Sequence, residues 1–196
     1  MKIGYYVQGD ADEAVVRGLA RRWCPDAALA PGRFRGSSNE SFRRELSKSL
    51  MDLVGVRACD VVIVLTDADV NTWREVRKRE TERIPQDYRH VTVFGVAERN
   101  IEWWLAIDRN ALAQELGCRV EDIPGDEPDL SGFVKRRFGM THRDTREDAK
   151  ARVCTYVLEA SLRPWIEGSR SFEDFYTRAR QWALQNGCSL PNEREA

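Results

Sequence analysis

The sequence has few histidines, no long apolar run and almost no net charge, and each shortage argues against a class of protein. Its two histidines, His90 and His142, and its five widely spaced cysteines argue against a zinc site and against a disulfide framework. Lys and Arg number 31 against 32 Asp and Glu, so no overall basic field points to nucleic acid. Any contact with nucleic acid must therefore come from a local patch.

Motifs of several other protein classes are also missing. The longest strongly apolar run, residues 59–65, is far shorter than the roughly 20 residues that a membrane helix needs. The first residues enter a strand pattern without the layout of a signal peptide. Neither a Gly-x-Gly-x-x-Gly turn nor a Walker loop is present, and no serine or cysteine stands at a nucleophile elbow. We expect a soluble, unprocessed protein in a reducing cytoplasm, with no membrane span.

The first hundred residues alternate between strand and helix patterns. Strands are predicted at 2–7, 27–34, 59–65 and 91–96, and residues 59–65 read as a strand buried on both faces. Helices are predicted after each strand, the last over 101–116 with a break near Asp108. This alternation predicts an α/β fold, Rossmann-like, with a four-stranded parallel sheet and helices on both faces.

The composition changes after Gly117. Residues 121–130 contain two prolines, a glycine and five acids, which is typical of a loop. We therefore predict an α/β domain over 1–118 and, over 119–196, this loop and a helical C-terminal cap. Pro164 is expected to kink or divide the middle helix of the cap. The aromatic stripe that begins at Phe172 is expected to pack on the sheet.

Acidic and amide side chains follow three of the predicted strands. Gln8 and Asp10 follow the first strand, Asp67 and Asp69 the third, and Glu98 and Glu102 the fourth. In a doubly wound sheet ligands bind beyond the carboxyl ends of the strands, so these side chains are expected to converge. Carboxylates without histidine or thiol partners favour Mg²⁺ or Mn²⁺. The alternative is that Asp67, Asp69 and Asn71 only form a turn that caps the next helix.

The sequence contains three runs of basic residues that could contact phosphates. Two of them are candidates, with solvated helix and loop surfaces as the alternative: Arg33, Arg35, Arg43, Arg44 and Lys48, and then Lys135, Arg136 and Arg137. In the third run, 74–83, arginine and lysine alternate with glutamate, which is typical of an exposed helix stabilised by salt bridges.

These motifs together resemble the Toprim fold, and more narrowly a bacterial Toprim-like family related to the Toprim part of OLD-type nucleases. The resemblance covers most of the chain. Members typically read Glu-Gly after the first strand, Asp-x-Asp after the third, Glu-Ile-Glu-x-Trp-Leu-x-x-Asp on the next helix, and a late Ser-Phe-x-x-Phe. This sequence follows the pattern with two departures: Gln8 and Asn100 stand where the family has glutamate.

The resemblance implies a metal-dependent nuclease. Asp67, Asp69 and Glu102 would be catalytic and would hold Mg²⁺ or Mn²⁺, with Gln8 as a weaker metal ligand. It also implies an ABC-type ATPase as partner and a role in defence against phage. Because the two departures remove negative charge, a weakened or inactive nuclease and a non-catalytic adaptor that binds nucleic acid or a partner protein remain alternatives. Asp10, Asp12 or Glu13 could replace the missing glutamate.

Overall fold

The computed structural model describes residues 1–32, 39–68, 71–126, 128–142 and 144–188. Within them the strands are β1 Lys2–Val7, β2 Ala28–Pro31, β3 Val61–Asp67 and β4 Thr92–Ala97. They form one all-parallel sheet in the order β2-β1-β3-β4. The predicted α/β fold with a four-stranded parallel sheet is confirmed. Because the chain moves outward in opposite directions from β1 and β3, the topological switch point lies between these two central strands.

Helices cover both faces of the sheet. They are α1 Asp10–Trp23, α2 Asn39–Leu50, α3 Trp73–Arg83, α4 Ile101–Leu105, α5 Arg109–Leu116, α6 Asp129–Phe138, α7 Arg146–Glu159, α8 Arg163–Gly168 and α9 Arg170–Gln185. A π-helical turn, Met51–Val56, continues α2, and short 3-10 turns lie at Gln86–Val91 and Val120–Asp122. The predicted break at Asp108 occurs, and the Asp108 carboxylate accepts a hydrogen bond from the Ala111 N–H at 3.0 Å. Pro164 lies in the first turn of α8, so it divides the predicted helix.

Alternate residues of the central strands feed two separate cores. On one face, Ile3, Ile63 and Leu65 pack with α1 and with helices from α4 onward. On the other face, Tyr6 and Val64 pack with α2, the π-helical turn and α3. The predicted segments 1–118 and 119–196 both contribute side chains to the first core.

Two glycines allow helices of the C-terminal segment to approach the α/β layer closely. A Cβ at Gly18 of α1 would lie 2.8 Å from the Cys154 carbonyl oxygen of α7, and a Cβ at Gly95 of β4 would lie 2.7 Å from the Phe175 ring of α9. Any larger residue would separate these elements. Helix α9 thus covers β4 with buried aromatic side chains, among them Phe172 and Phe175.

The adjacent tryptophans of α4 have different environments, because neighbouring helical positions point about 100° apart. Trp104 is fully buried and stacks on Phe175 at 5.8 Å between ring centroids. Its indole N–H donates to Ser171 Oγ at 3.0 Å, and the same oxygen accepts the Glu98 N–H at 3.2 Å. The start of α9 is thereby attached to α4 and to the carboxyl end of β4.

Three predictions about local structure need correction. Helix α6 begins at Asp129, inside the predicted loop. Cys24 and Cys188 form a disulfide between the end of α1 and the residues after α9, although the cysteine spacing argued against a disulfide framework. Glu80, on the predicted exposed helix α3, is 2% exposed and lies among Arg43, Arg79 and Arg83. Within the described ranges, no helix combines the length and the apolar character needed to cross a membrane.

Candidate functional site at the carboxyl ends of β1 and β3

A cavity of about 440 Å³ opens at the topological switch point. Gln8 and Gly9, which follow β1, and Asp67, the last residue of β3, form its floor, while α4 and α6 contribute Glu102 and Lys135. The structure therefore brings Gln8, Asp67 and Glu102 to one cavity. Asp10 and Asp12, at the start of α1, line it as well. We call this cavity the switch-point cleft.

Asp12 is the acid most unusually placed in the cleft. It is 5% exposed and lies on the same face of α1 as Val15, Val16 and Leu19. One carboxylate oxygen, Oδ2, accepts the Gly9 N–H at 2.7 Å in the capping interaction that begins the helix. The other oxygen, Oδ1, is buried and has no hydrogen-bond partner among the described residues.

The electrostatic environment of Asp12 disfavours its charged form. Burial, and then the nearby Glu102 carboxylate, raise the pKa of Asp12 from its ordinary value of 3.8 to about 7; the Gly9 N–H and Lys135 oppose this rise. A buried acid on the apolar stripe of an amphipathic helix is a signal that the sequence carries. Of the three acids that could replace a glutamate at position 8, namely Asp10, Asp12 and Glu13, this pattern favours Asp12.

Glu102 is also buried, and both of its carboxylate oxygens have partners. Lys135 Nζ lies 3.2 Å from Oε1, and the Ser131 hydroxyl donates to Oε2 at 3.2 Å. Lys135 was predicted as a phosphate contact on a basic surface. The structure places its ammonium group inside the cleft, where it is a cation among four acids.

The remaining groups of the cleft are held by neighbouring elements. The Thr66 hydroxyl donates to Gln8 Oε1 at 2.7 Å, across the pair β1 and β3. Asp10 faces Arg146 of α7 at 3.2 Å. Of the alternative, in which Asp67, Asp69 and Asn71 form a turn that caps α3, the turn is seen at Asn71, whose N–H donates to the Ala68 carbonyl oxygen at 3.0 Å. The cap itself is Thr72, whose side chain accepts the Glu75 N–H.

Other predicted site residues lie elsewhere. Glu98 does not line the cleft, and only its backbone N–H, bound to Ser171, takes part in a described contact. Asn100 caps α4 by accepting the Trp103 N–H at 3.0 Å, a role for which an amide side chain is suitable. Asp69 lies outside the described residues.

The predicted phosphate contacts are distributed over separate surfaces. Arg43 forms an ion pair with the buried Glu80 at 2.9 Å, whereas Arg44 is exposed on α2. Arg136 and Arg137 are exposed on α6, and the Arg137 guanidinium covers the Phe133 ring. Arg33 and Arg35 are outside the described ranges. A role of these residues in binding nucleic acid stays a prediction.

The fit of the cleft to a divalent cation rests on the chemistry of its oxygens. The carboxylates of Asp12, Asp67 and Glu102 offer the hard oxygen ligands that Mg²⁺ and Mn²⁺ prefer. The buried Oδ1 of Asp12 could coordinate a cation without losing a hydrogen bond to a described residue. Within the described parts of the chain, no three His, Cys, Asp or Glu side chains are grouped closely enough to hold an ion as they stand. Lys135 supplies the positive charge next to Glu102.

Comparisons with family models, with curated proteins and with solved structures gave no match. Any function of the cleft must therefore be argued from its own geometry.

Proposed function

We propose that the switch-point cleft binds Mg²⁺ or Mn²⁺ and hydrolyses phosphodiester bonds of a nucleic acid. The observation that carries this proposal is the buried Asp12 carboxylate, whose Oδ1 atom has no described partner and which shares one cavity with Asp67 and Glu102. A buried carboxylate oxygen without a hydrogen-bond partner lowers the free energy of unfolding. Groups of this kind concentrate at functional sites, where a ligand supplies the missing interaction.

Each residue of the cleft has a distinct role in this proposal. Asp12, Asp67 and Glu102 supply oxygens for the cation, and Asp12 replaces the acid that the Toprim resemblance expects at position 8. A bound cation would neutralise phosphate oxygens and lower the pKa of a bound water molecule. Lys135, held beside Glu102, is available to bind a phosphate oxygen. Gln8, which accepts a hydrogen bond from Thr66, would be a weaker ligand of the cation.

A non-catalytic adaptor is the second candidate, and a specific observation favours it. Both oxygens of Glu102 are already satisfied, by Lys135 and by Ser131, so Glu102 must give up a partner before it binds an ion. In this alternative the cleft is a remnant, and the surrounding surface binds nucleic acid or a partner protein.

Thermal unfolding with and without millimolar Mn²⁺ tests the metal site directly. A ligand that binds only the folded chain raises Tm by mass action, so the wild-type protein is expected to gain stability in Mn²⁺. The variant Asp67→Asn should lose this gain, whereas Asp129→Asn, an exposed acid outside the cleft, should keep it. Equal Tm values with and without Mn²⁺ in the wild-type protein would contradict the proposal.

Cleavage of supercoiled plasmid DNA and of labelled RNA separates the two candidates. Mn²⁺-dependent cleavage by the wild-type protein that is lost in Asp67→Asn supports the nuclease. Binding of nucleic acid without cleavage under any metal condition supports the adaptor.

The wider biological setting belongs to the same proposal. The Toprim resemblance suggests an ABC-type ATPase as partner, and the odd number and wide spacing of the cysteines suggest a cytoplasmic location. Affinity purification with the chain as bait tests the ATPase. The disulfide between Cys24 and Cys188 is unusual for a reducing compartment. Alkylation of thiols in freshly lysed cells therefore tests the location, because reactive Cys24 and Cys188 are expected in the cytoplasm.

A further inference from the structure

A second concave surface lies beside the edge strand β4, between α3 and α9. These helices cover opposite faces of the sheet, since Val76 of α3 belongs to one core and Phe172 of α9 to the other. They meet around the edge of β4 through an ion pair between Arg77 and Asp174. Two adjoining cavities of about 620 Å³ each lie here and share Arg74, Arg77 and Arg178. We call this surface the α3–α9 groove.

The groove is basic although the chain as a whole is not. Six cationic side chains and three acids line it, whereas the whole chain has a formal net charge of −1. The cations are Arg74, Arg77, Lys78, Arg89, Arg170 and Arg178, and the acids are Glu82, Glu173 and Asp174. Positive charge is therefore concentrated on this surface.

The arginines at the base of the groove are held in place. Arg178 donates to the Phe94 carbonyl oxygen of the edge strand at 2.7 Å and to Asp174 at 2.5 Å. Asp174 also binds Arg77. These contacts fix two guanidinium groups, and the Nε atom of Arg178 remains buried without a hydrogen-bond partner among the described residues.

An aromatic ring lies next to these cations. Trp73, the first residue of α3, is partly exposed and lines the groove. The guanidinium groups of Arg74 and Arg77 lie 4.7 and 5.5 Å from its ring centroid. A basic groove with an aromatic ring at its rim is the composition that binds single-stranded nucleic acid, because cations bind the backbone while bases stack on the ring. An acidic peptide would use the cations alone.

The groove begins at the same edge of the sheet as the switch-point cleft. Helix α3 follows the carboxyl end of β3, where Asp67 lines the cleft, and α9 begins beside the carboxyl end of β4, where Ser171 binds the Glu98 N–H. Adjacent strands are about 4.8 Å apart. A strand of nucleic acid in the groove would thus have one end directed along the edge that carries the cleft.

We propose that the α3–α9 groove binds a single-stranded nucleic acid through its phosphates, with a base stacked on Trp73. The inference rests on the proposed function in that the same strand would enter the cleft. Binding in the groove nevertheless requires neither a metal ion nor cleavage, so the two proposals can fail separately.

Fluorescence anisotropy of a labelled 20-nucleotide DNA strand, in EDTA, tests the groove. The double variant Arg74→Ala/Lys78→Ala removes two exposed cations that line the groove. The association constant falls as salt concentration rises, so the slope of log K against log salt concentration is negative. Loss of two phosphate contacts should make this slope shallower by about 1.4 and weaken binding roughly tenfold or more. Trp73→Leu should weaken binding with little change in the salt slope.

The matched control is Arg119→Ala/Arg163→Ala, which removes two exposed, ion-paired arginines outside the groove. It should bind the strand like the wild-type protein. Unchanged affinity and salt slope in Arg74→Ala/Lys78→Ala would overturn the proposal. Displacement of the strand by polyglutamate at an equal concentration of negative charge would also overturn it, and would indicate an acidic protein partner.

Two measurements keep this test separate from that of the cleft. The groove variants should retain any Mn²⁺-induced rise in Tm, because Trp73, Arg74 and Lys78 do not line the cleft. Strand binding in EDTA by a wild-type protein that gains no stability in Mn²⁺ would support the groove and contradict the metal site alone.

Discussion

The substitution Asp12→Asn is expected to stabilise the metal-free protein. Asparagine has nearly the shape of aspartate, and its Oδ1 atom can still accept the Gly9 N–H that begins α1. It carries no charge, so it removes the cost of burying a carboxylate beside Glu102. The substitution therefore keeps a polar side chain on the buried face of α1 and raises the free energy of unfolding.

The size and the pH dependence of the gain follow from the pKa of Asp12. The group titrates at about 7 in the folded chain and at 3.8 ordinarily. Between these values the folded chain retains a proton that the unfolded chain has lost, so stability falls as the pH rises through this window. Above pH 7 the cost reaches up to about 4 kcal/mol. Below pH 4 both states are protonated and the cost disappears.

Thermal unfolding in EDTA at pH 8 and at pH 4.5 measures this effect. At pH 8 the Tm of Asp12→Asn should exceed that of the wild-type protein by up to about 8–16 °C for a chain of this size, and the difference should shrink at pH 4.5. Asp10→Asn is the matched control: the same change, two residues earlier, breaks an ion pair with Arg146 and should not stabilise. Equal or lower stability of Asp12→Asn at pH 8 would show that the Asp12 carboxylate is satisfied in the folded chain and would refute the reasoning.

Three further changes have defined outcomes. Gln8→Glu adds a carboxylate to the cleft and should increase both the Mn²⁺-induced rise in Tm and any nicking of plasmid DNA; no change in either would exclude position 8 from the site. Cys188→Ser removes a disulfide between positions 164 residues apart. Without reductant, the variant should have a free energy of unfolding about 2–5 kcal/mol below that of the wild-type protein. In dithiothreitol the two proteins should be equally stable. Truncation after Gly168 removes the buried Phe172 and Phe175 from the core. Loss of two buried aromatic side chains costs several kcal/mol of stability, so the truncated chain should elute as aggregates in size-exclusion chromatography. A stable monomer would contradict the packing of α9 on β4.

The sheet and the position of the cleft could be predicted because they depend on local patterns. The β-branched run that became β3 has no polar alternation, which indicates burial on both faces. Parallel strands leave their carboxyl ends at one edge, so residues immediately after a strand must lie near that edge. Gln8 and Asp67 therefore meet in one cavity, as expected from their positions after β1 and at the end of β3.

Contacts between distant segments were not predictable in the same way. The ion pair of Glu102 with Lys135 depends on how α6 docks beside α4, and the disulfide depends on the return of the chain after α9 to the end of α1. Neither has a periodic signature. The burial of Glu80 likewise needs Arg43 from α2, whereas the sequence of α3 alone is typical of an exposed helix.

Glu80 and Asp12 are both buried acids, but their surroundings differ, and only those of Asp12 suggest a function. Glu80 lies within 3.4 Å of three guanidinium groups, so its charge is compensated where it is buried. Asp12 has one backbone N–H, a nearby lysine and a second carboxylate beside it, and its Oδ1 atom has no described hydrogen-bond partner. A neutral or apolar residue at position 12 would give a more stable chain, since the surrounding side chains of α1 are apolar. An acid that lowers stability at the switch point of a doubly wound sheet is therefore better explained by a ligand that the cleft binds than by the fold that surrounds it.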